Sequence, residues 1–365
     1  MNTIIDIPLF LSACEFVKRL IPPRVIVPLL GCIRIEASDT GGVIVSHSGH
    51  EGSARAVVHQ CDVLGNGSVA VDAATLISAI KSMDGETATM VLDKGKLRIA
   101  TDRRKIALGT FPAAEIPDAR KCKGKATVID GKFLAHALDV AMPVAKNASA
   151  DRFAMRGMFL DGNGQTLHCV ATDGKRLHIV GGAWVGEIKA ILPTDAMMMV
   201  RDMASLNDTL ALSSDEHSIS VVTEDWSIAV ALLVANFPPY ADVIPKDLVH
   251  IFNVDAGTMA DNVKSVGFMV SDDANAKRGV DVKMDGGTLT LAAVDAARGD
   301  AAATLDVDNI EDEFESAYND RFLREGFEAH EGTVAVLVSE KRRGRGPLVV
   351  RAGDTTTALM PVSKE

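Results

Sequence analysis

Histidine, cysteine and aspartate side chains at two places in the sequence are of the types that catalyse hydrolysis or bind metal ions. His168, Cys169 and Asp173 lie within six residues, and His47 and His50 form an HxxH pair. A nucleophile and its base must reach each other through a hydrogen bond, but alternation along a strand turns His168 and Cys169 to opposite faces. The HxxH pair lies in a β-rich stretch, where no helix brings both rings to one side. We therefore expect neither a catalytic centre nor a metal site.

Cofactor motifs are also absent from the sequence. There is no P-loop and no GxGxxG, so ATP hydrolysis would belong to a separate protein, and no cofactor is expected. The cysteines are odd in number, widely spaced and without a CxxC pair, which favours neither a disulfide framework nor a zinc ribbon. A reducing cytoplasm is the simplest compartment for them. The five cysteines are Cys14, Cys32, Cys61, Cys122 and Cys169.

Length and composition indicate a folded protein of two or three domains. The chain has 365 residues, of which 47% are hydrophobic and 24% charged, enough for sizeable cores. No apolar run approaches the roughly 20 residues of a membrane helix, and the N-terminus lacks the features of a signal peptide. The formal net charge of −11 argues against a tight grip on nucleic acid through bulk charge, but it permits a local basic surface.

A short amphipathic helix is the element that recurs along the chain. In residues 130–142, Asp130 can cap the helix. The apolar stripe of that helix has a 3.6-residue period and consists of Leu134, Ala137, Leu138 and Ala141. Similar helices recur at a spacing of roughly 60 residues. The predicted helix starts lie near Pro8, Asp72, Asp130, Pro193, Asp255 and Asn319.

Short β-type runs separated by Asp, Asn and Gly turns follow each helix. The repeating unit is therefore one helix with three or four antiparallel strands. FPAAEIP at residues 111–117 and FPPYADVIP at residues 237–245 mark a second, longer period of about 125 residues, with a looser copy at Met360-Pro361. These periods predict an α+β fold with three domains at residues 1–124, 125–245 and 246–365.

Four segments resemble the bacterial β sliding clamp family, the processivity subunits of replicative DNA polymerases. They are VATDGKRLHIV (170–180), FPPYADVIP (237–245), FESAYNDRFLREGFEAHEG (314–332) and LMPV (359–362). Weaker matches are RVIVPLLGCIRIEA (24–37) and TFPAAEIPD (110–118). The resemblance covers the whole chain, in order and at matching spacing.

The resemblance implies three DNA-clamp domains, each a pair of helix-plus-antiparallel-sheet repeats, with one chain forming half of a closed ring. It implies a non-catalytic, head-to-tail homodimer that encircles double-stranded DNA without reading its sequence. Implied protein partners are the replicative polymerase α subunit, the clamp loader and other proteins that carry a short clamp-binding peptide. The expected location is the cytoplasm, at the nucleoid, with no membrane partner.

Transferred to matching positions, the resemblance also implies a pocket for the partner peptide. A structural ion pair is the alternative role of Arg176, and a plain hairpin is the alternative for the ATDGKRL motif. Asp242, where the family often has a basic residue, and the polar end at residues 363–365 depart from the family pattern. The expected pocket residues are Met155, Thr172, Gly174, Lys175, Arg176, Leu177, Pro238, Val243, Leu348, Ala358, Leu359, Met360, Pro361 and Val362.

Basic residues on or near the predicted helices are candidates for phosphate contacts without base readout. A solvated polar helix face is the alternative for several of them. The second and fourth helices begin around Asp72 and Pro193 without the basic residue that is frequent in the family. The candidate DNA-binding residues are Arg24, Lys132, Lys146, Arg152, Arg201 and Lys264.

Three further interpretations stay open at the level of the sequence. The basic, Gly-rich segment EKRRGRG at residues 340–346 is either a mobile surface loop or a contact for DNA or a loader. A hydrolase using Cys169 or the His47/His50 region is the rival function from another class. A structural β-rich assembly protein is the second rival.

Overall fold

The computed structural model describes residues 1–270, 279–295, 297–309 and 313–362. The polar end at residues 363–365, noted above as a departure from the family, lies outside these ranges. The described chain divides into two compact units, Met1–Ala135 with Asp195–Leu232 and His136–Thr194 with Leu233–Glu365. This division does not test the three domain boundaries, which stay a prediction.

Six α-helices occur in the described residues, and each begins directly after a strand or one residue beyond it. This strand–helix unit is the observed form of the predicted repeat. The helices are α1 Ile7–Lys18, α2 Ala73–Lys81, α3 Gly131–Asn147, α4 Thr194–Leu206, α5 Ala256–Gly267 and α6 Asp320–Glu328.

An Asp or Asn at the strand–helix junction caps five of these helices. The Asp72 carboxylate accepts the Thr75 N–H at 2.8 Å, and the Asn319 side chain accepts the Phe322 N–H at 3.0 Å. A cap satisfies a helix N–H that has no partner within the helix. The remaining capping carboxylates belong to Asp6, Asp130 and Asp255.

The first unit contains thirteen strands in two sheets. They are β1 Asn2–Asp6, β2 Cys32–Ser38, β3 Gly42–Ser48, β4 Gly52–Val58, β5 Cys61–Gly65, β6 Gly67–Asp72, β7 Thr87–Asp93, β8 Lys96–Ala100, β9 Lys105–Gly109, β10 Thr127–Asp130, β15 Thr209–Ser214, β16 Ser218–Val222 and β17 Trp226–Ala231.

The second unit contains the other thirteen described strands, also in two sheets. They are β11 Gly157–Asn163, β12 Thr166–Thr172, β13 Arg176–Ala183, β14 Glu187–Pro193, β18 Leu248–Asp255, β19 Val280–Asp285, β20 Thr288–Asp295, β21 Gly299–Asp306, β22 Asp308–Asn309, β23 Glu313–Tyr318, β24 Thr333–Ser339, β25 Leu348–Ala352 and β26 Thr355–Leu359.

Sheets in both units join strands that are far apart in sequence. In the first unit the strand orders are β5-β1-β7-β8-β9 and β10-β15-β16-β17-β4-β3-β2-β6. In the second of these sheets β17 pairs with β4, and Trp226 lies opposite Ala56. In the second unit the strand orders are β14-β11-β12-β13-β26-β25-β24-β18-β22 and β21-β20-β19-β23. In the first of these sheets β13 pairs with β26, and Arg176 lies opposite Leu359. The strand pairings of the described residues are antiparallel, as the turn-rich sequence predicted.

Apolar helix stripes pack on these sheets and form the cores. The predicted stripe of α3 is buried, as shown by Leu138 at 0% exposure, and Phe10 of α1 is buried to the same extent. Burial of each such side chain stabilises the fold by about 1.5–3 kcal/mol. In the second unit one large core joins α5 and α6 to their sheets through Met259, Leu323 and Phe327.

The α+β fold class is confirmed, while several predicted element bounds are corrected. Helix α3 was expected to end at Met142 but continues past Pro143 to Asn147, because Val144 and Ala145 extend its buried stripe. Short strands directly before the helices, such as β1 and β10, were missed because they contain only four or five residues. Within the described residues, no helix is both long and apolar enough to cross a membrane.

Candidate partner-binding cleft

The ATDGKRL motif folds as a tight turn between β12 and β13. Gly174 has a φ of +82°, a conformation that costs glycine little. The Thr172 hydroxyl accepts the Gly174 N–H at 3.1 Å and donates to the Arg176 carbonyl at 2.7 Å. The Asp173 carboxylate accepts the N–H groups of Lys175 and Arg176 at 3.0 and 3.1 Å. The turn is therefore held by its own side chains.

The guanidinium of Arg176 is completely buried and is bonded on all sides. Its Nε donates to Asp173 at 3.1 Å, and its Nη1 donates to Glu325 of α6. Its Nη2 donates to the carbonyl of Pro143 in α3 at 3.3 Å. A buried charge is tolerated only with such compensation. The structural ion pair considered for Arg176 is thus observed.

Aromatic and amide groups extend this cluster. The Arg176 guanidinium lies 4.4 Å from the centre of the Phe322 ring, within cation–π range. Asn147 donates to Asp173 at 2.9 Å and accepts from Arg321 at 2.5 Å. We call Asp173, Arg176, Phe322 and Glu325 the Arg176 cluster. Through it, α3, α6 and the turn hold one another in place.

A cleft of about 800 Å³ opens beside the Arg176 cluster. Met360 and Phe268 are 44% and 64% exposed, and a flexible Met beside an aromatic ring suits an apolar anchor from a partner. The Met360 N–H donates to the Lys175 carbonyl at 2.9 Å, which ties the C-terminal segment to the turn. The cleft is lined by Asn147, Lys175, Gly267, Phe268, Val270, Arg298, Asn319, Asp320, Arg321, Phe322, Met360, Pro361 and Val362.

Four of the predicted pocket residues therefore line this cleft, namely Lys175, Met360, Pro361 and Val362. The exposed Gly174 forms the turn beside them. Their assignment to a partner peptide stays a prediction.

Other predicted pocket residues lie in cores. Leu177 and Ala358 belong to a buried cluster packed against Phe237 and Tyr240. Leu348 and Leu359 belong to the core beneath α5 and α6. Thr172 is also buried, whereas Met155 and Pro238 are half-buried and Val243 is 43% exposed. The buried side chains present little surface to a partner in this conformation.

The cleft carries more positive than negative side chains. Among the described residues that line the cleft, Lys175, Arg298 and Arg321 accompany a single carboxylate, Asp320. Arg321 also lies 3.7 Å from Glu325, so its charge is partly balanced. The site therefore combines apolar surface with a positive field.

Sequence reasoning missed the α6 side of the cleft. Phe322 and Glu325 were read only as part of a family motif, and Asn147 and Phe268 were not considered. The signal was present in RFLRE, where Arg321 and Glu325 stand four residues apart on one helix face. The contact of Glu325 with Arg176 joins residues that are 149 positions apart, which no local pattern predicts.

One DNA-binding candidate, Arg152, lies at the turn. Its Nη1 donates to the Asp173 carbonyl at 3.1 Å, and its guanidinium fills the space where a Cβ on Gly174 would stand. Arg152 therefore has a structural contact. It is still an exposed residue, and its DNA contact stays a prediction.

The remaining DNA-binding candidates are distributed over both units. Lys132 and Lys146 lie exposed at the two ends of α3, and Lys264 is exposed on α5. Arg24 is exposed in the segment after α1. Arg201 on α4 lies 3.8 Å from Asp202, so an acidic neighbour offsets its charge.

The residues considered for catalysis have environments unsuited to it. Burial raises the pKa of the Cys169 thiol to about 12, which keeps the thiol protonated and unreactive. His47 is buried, and its Nδ1 lies 3.0 Å from the Cys32 carbonyl, while His50 is exposed. Across the described ranges, no three His, Cys, Asp or Glu side chains are grouped to hold a metal ion.

Two buried histidines share one hydroxyl near the cleft. His178 Nδ1 and His330 Nε2 each lie 3.1 Å from the Thr357 hydroxyl. Burial, with the charge of Arg176 nearby, lowers the pKa of His178 to about 3. Burial, with His136 nearby, lowers the pKa of His330 to about 4. Both imidazoles are therefore neutral at pH 7.

The chain is similar in sequence to bacterial β sliding clamps. A model of the DNA polymerase III β subunit, N-terminal domain, matches residues 1–120. A β sliding clamp of Caulobacter vibrioides is 25% identical over 341 residues, which are 88% of this chain and 89% of that protein. One of Pseudomonas putida is 22% identical over 264 residues, covering 70% and 71% of the two chains.

Solved structures of the same kind share the fold from end to end. The DNA polymerase sliding clamp of Bacillus subtilis has a TM-score of 0.90 at 16% identity, covering 100% of both chains. The Pseudomonas aeruginosa clamp bound to griselimycin has a TM-score of 0.89 at 19% identity, covering 100% of this chain and 99% of the other.

The buried histidine pair predicts acid lability. Unfolded histidine has a pKa of about 6.5, so below that pH the unfolded chain binds protons that the folded chain excludes. The free energy of unfolding should fall as pH drops from 7 to 5, by up to about 1.4 kcal/mol per pH unit for each histidine. Replacing His330→Gln should remove one histidine's share of this slope in urea denaturation. An unchanged slope would contradict the pKa assignment.

Proposed function

We propose that the chain is a sliding clamp of the bacterial DNA polymerase III β subunit family, and that it encircles duplex DNA as a homodimeric ring and tethers the replicative polymerase. The observation that carries this proposal is the match along 88% of the chain to a β sliding clamp. The six strand–helix repeats in the described part of the chain support it. Clamps of this kind are processivity factors rather than enzymes. The protein would work in the cytoplasm at the nucleoid.

The cleft is the proposed docking site for the partners' short clamp-binding peptide. The polymerase α subunit, the clamp loader and other DNA-processing proteins would each insert an apolar anchor beside Met360 and Phe322. The positive side chains Lys175 and Arg298 would orient polar groups of the same peptide. The Arg176 cluster supports this role because it fixes the walls of the cleft before the partner arrives.

Contact with DNA is proposed to use the exposed basic residues of the helices. Lys132, Lys146 and Lys264 are exposed, and they would meet phosphates without reading bases. Other helix cations are balanced within the protein, since Lys81 lies 2.6 Å from Glu15. A modest net attraction suits a protein that must slide.

A head-to-tail dimer is supported by two edge strands of opposite charge. β9 ends one sheet of the first unit, and β21 ends one sheet of the second. The β9 edge carries the exposed Arg103 and Lys105, and the β21 edge carries the exposed Asp300 and Asp306. An edge strand presents unpaired N–H and carbonyl groups. Pairing of β9 of one protomer with β21 of the other would satisfy both edges.

Topological retention on DNA tests the proposed function. The protein is loaded onto nicked circular DNA with its cognate clamp loader, and the complex is isolated by gel filtration. Cutting the circle once should release the protein, because a ring slides off a free end. A complex that survives linearisation would reject the sliding model in favour of direct electrostatic binding.

Charge reversal tests the proposed interface. Arg103→Glu/Lys105→Glu and Asp300→Lys/Asp306→Lys should each be monomeric by light scattering, because like charges then face each other. An equimolar mixture of the two variants should form dimers, since both interfaces are then complementary. The matched control Lys94→Glu/Lys96→Glu makes the same charge change on the β7–β8 hairpin and should stay dimeric. A mixture that stays monomeric would contradict the edge pairing.

A further inference from the structure

The basic loop, residues 340–346, is a concentrated positive patch on an acidic protein. Lys341, Arg342, Arg343 and Arg345 are all exposed, with Glu340 as the only acidic residue of the segment, while the whole chain has a formal net charge of −11. Four cations within five residues repel one another. Such a patch is stabilised by an anionic partner.

Polar contacts hold this loop in a defined conformation. The Asp247 carboxylate accepts the Ser339 hydroxyl at 3.0 Å and the Lys341 N–H at 3.1 Å. These contacts, the Lys341 N–H foremost, lower the pKa of Asp247 and keep it ionised. The Arg342 carbonyl accepts the Gly346 N–H at 2.7 Å. Backbone groups of the loop make most of these bonds, so the exposed side chains of Lys341, Arg342 and Arg345 project from an ordered frame. Arg343 Nη1 lies 3.5 Å from the Glu313 carbonyl.

Strand register places the basic loop at the same end of the strands as the cleft. The loop joins the end of β24 to the start of β25. Leu348 at the start of β25 pairs with Leu359 at the end of β26, and Leu359 also pairs with Arg176 at the start of β13. The loop, the C-terminal segment and the ATDGKRL turn therefore lie at the same end of neighbouring strands.

Strand β23 contacts both the basic loop and a residue that lines the cleft. The Ser316 hydroxyl of β23 donates to the Gly344 carbonyl in the loop at 2.9 Å. The next residue, Ala317, accepts the Val362 N–H at 2.8 Å, and Val362 lines the cleft. Successive residues of one strand thus contact the basic loop and the wall of the cleft.

From this arrangement we propose that the basic loop binds an acidic segment that flanks the apolar anchor of a partner peptide seated in the cleft. The inference rests on the proposed function of the cleft and adds the chemistry of the partner. Neighbouring strands are about 4.8 Å apart, so the loop begins roughly 5–10 Å from the end of β26. An extended peptide gains about 3.3 Å per residue, so two to four residues span this gap.

An acidic peptide is favoured over DNA because of what surrounds the loop. The adjoining cleft offers the apolar residues Phe322, Met360 and Val362, which suit a peptide anchor and have no counterpart in a phosphate backbone. The cleft itself adds the positive side chains of Lys175 and Arg298. A single peptide with apolar and acidic parts would match both.

Fluorescence anisotropy with labelled synthetic peptides tests the proposal on the full-length protein. Each peptide has a leucine–phenylalanine anchor with four glutamates or four glutamines a few residues away, on the N-terminal or the C-terminal side. At low salt one glutamate peptide should bind about fivefold tighter than its glutamine twin. The advantage should fall below about twofold at high salt because exposed charges are screened.

Charge reversal in the loop should abolish that preference without abolishing anchor binding. Lys341→Glu/Arg342→Glu/Arg345→Glu changes side chains only and keeps the backbone contacts, which a thermal melt would verify. The matched control Lys121→Glu/Lys123→Glu/Lys125→Glu makes the same charge change in the other unit and should keep the preference.

Three results would overturn the inference. Equal binding of the glutamate and glutamine peptides would reject it while leaving the proposed cleft intact. Loss of short duplex DNA binding in the loop variant, with no glutamate preference in the parent protein, would assign the loop to nucleic acid instead. Failure of every peptide to bind would reject the proposed cleft and the inference together.

Discussion

The buried guanidinium of Arg176 is the constraint on which the cleft depends. Transfer of such a charge into a protein interior costs several kcal/mol, and removal of its partners leaves that cost uncompensated. Asp173, Glu325 and the Pro143 carbonyl must therefore stay in contact with it. Because these groups belong to a turn and two helices, one cation fixes three elements. The bond from Met360 to Lys175 then places the C-terminal segment against the same turn.

The sequence predicted local structure well and long-range pairing poorly. The junction residues Asp72, Asp130, Asp255 and Asn319 marked helix starts because capping is a contact over three residues. The partnership of Arg176 with Glu325 had no local signal, since it depends on how β13 and α6 come together. Likewise, alternation along a strand placed His168 and Cys169 on opposite faces, but no local pattern showed that β13 would pair with β26. The ATDGKRL motif was singled out by family resemblance, while the burial of its residues came only from the structure.

Charge is distributed so that an acidic chain can still present basic surfaces. Helix cations such as Arg19 and Lys81 are paired with carboxylates, which moderates any attraction to phosphate. The basic loop, by contrast, concentrates its charge beside the cleft and is fixed there by Asp247 and Ser316. The proposed account thus assigns weak, distributed attraction to DNA and focused attraction to protein partners. The former permits sliding, and the latter adds orientation and association rate to an apolar anchor.

A double-mutant cycle between Arg176 and Glu325, measured by urea denaturation, tests most directly the claim that the buried cluster holds the cleft together. Arg176→Gln alone should reduce the free energy of unfolding by about 3–5 kcal/mol, because Asp173 and Glu325 lose their cation. The double variant with Glu325→Gln should lose less than the sum of the single variants, with a coupling of at least about 1 kcal/mol. Additive losses, or a loss below about 1 kcal/mol for Arg176→Gln, would show that the cleft is held by its apolar cores instead.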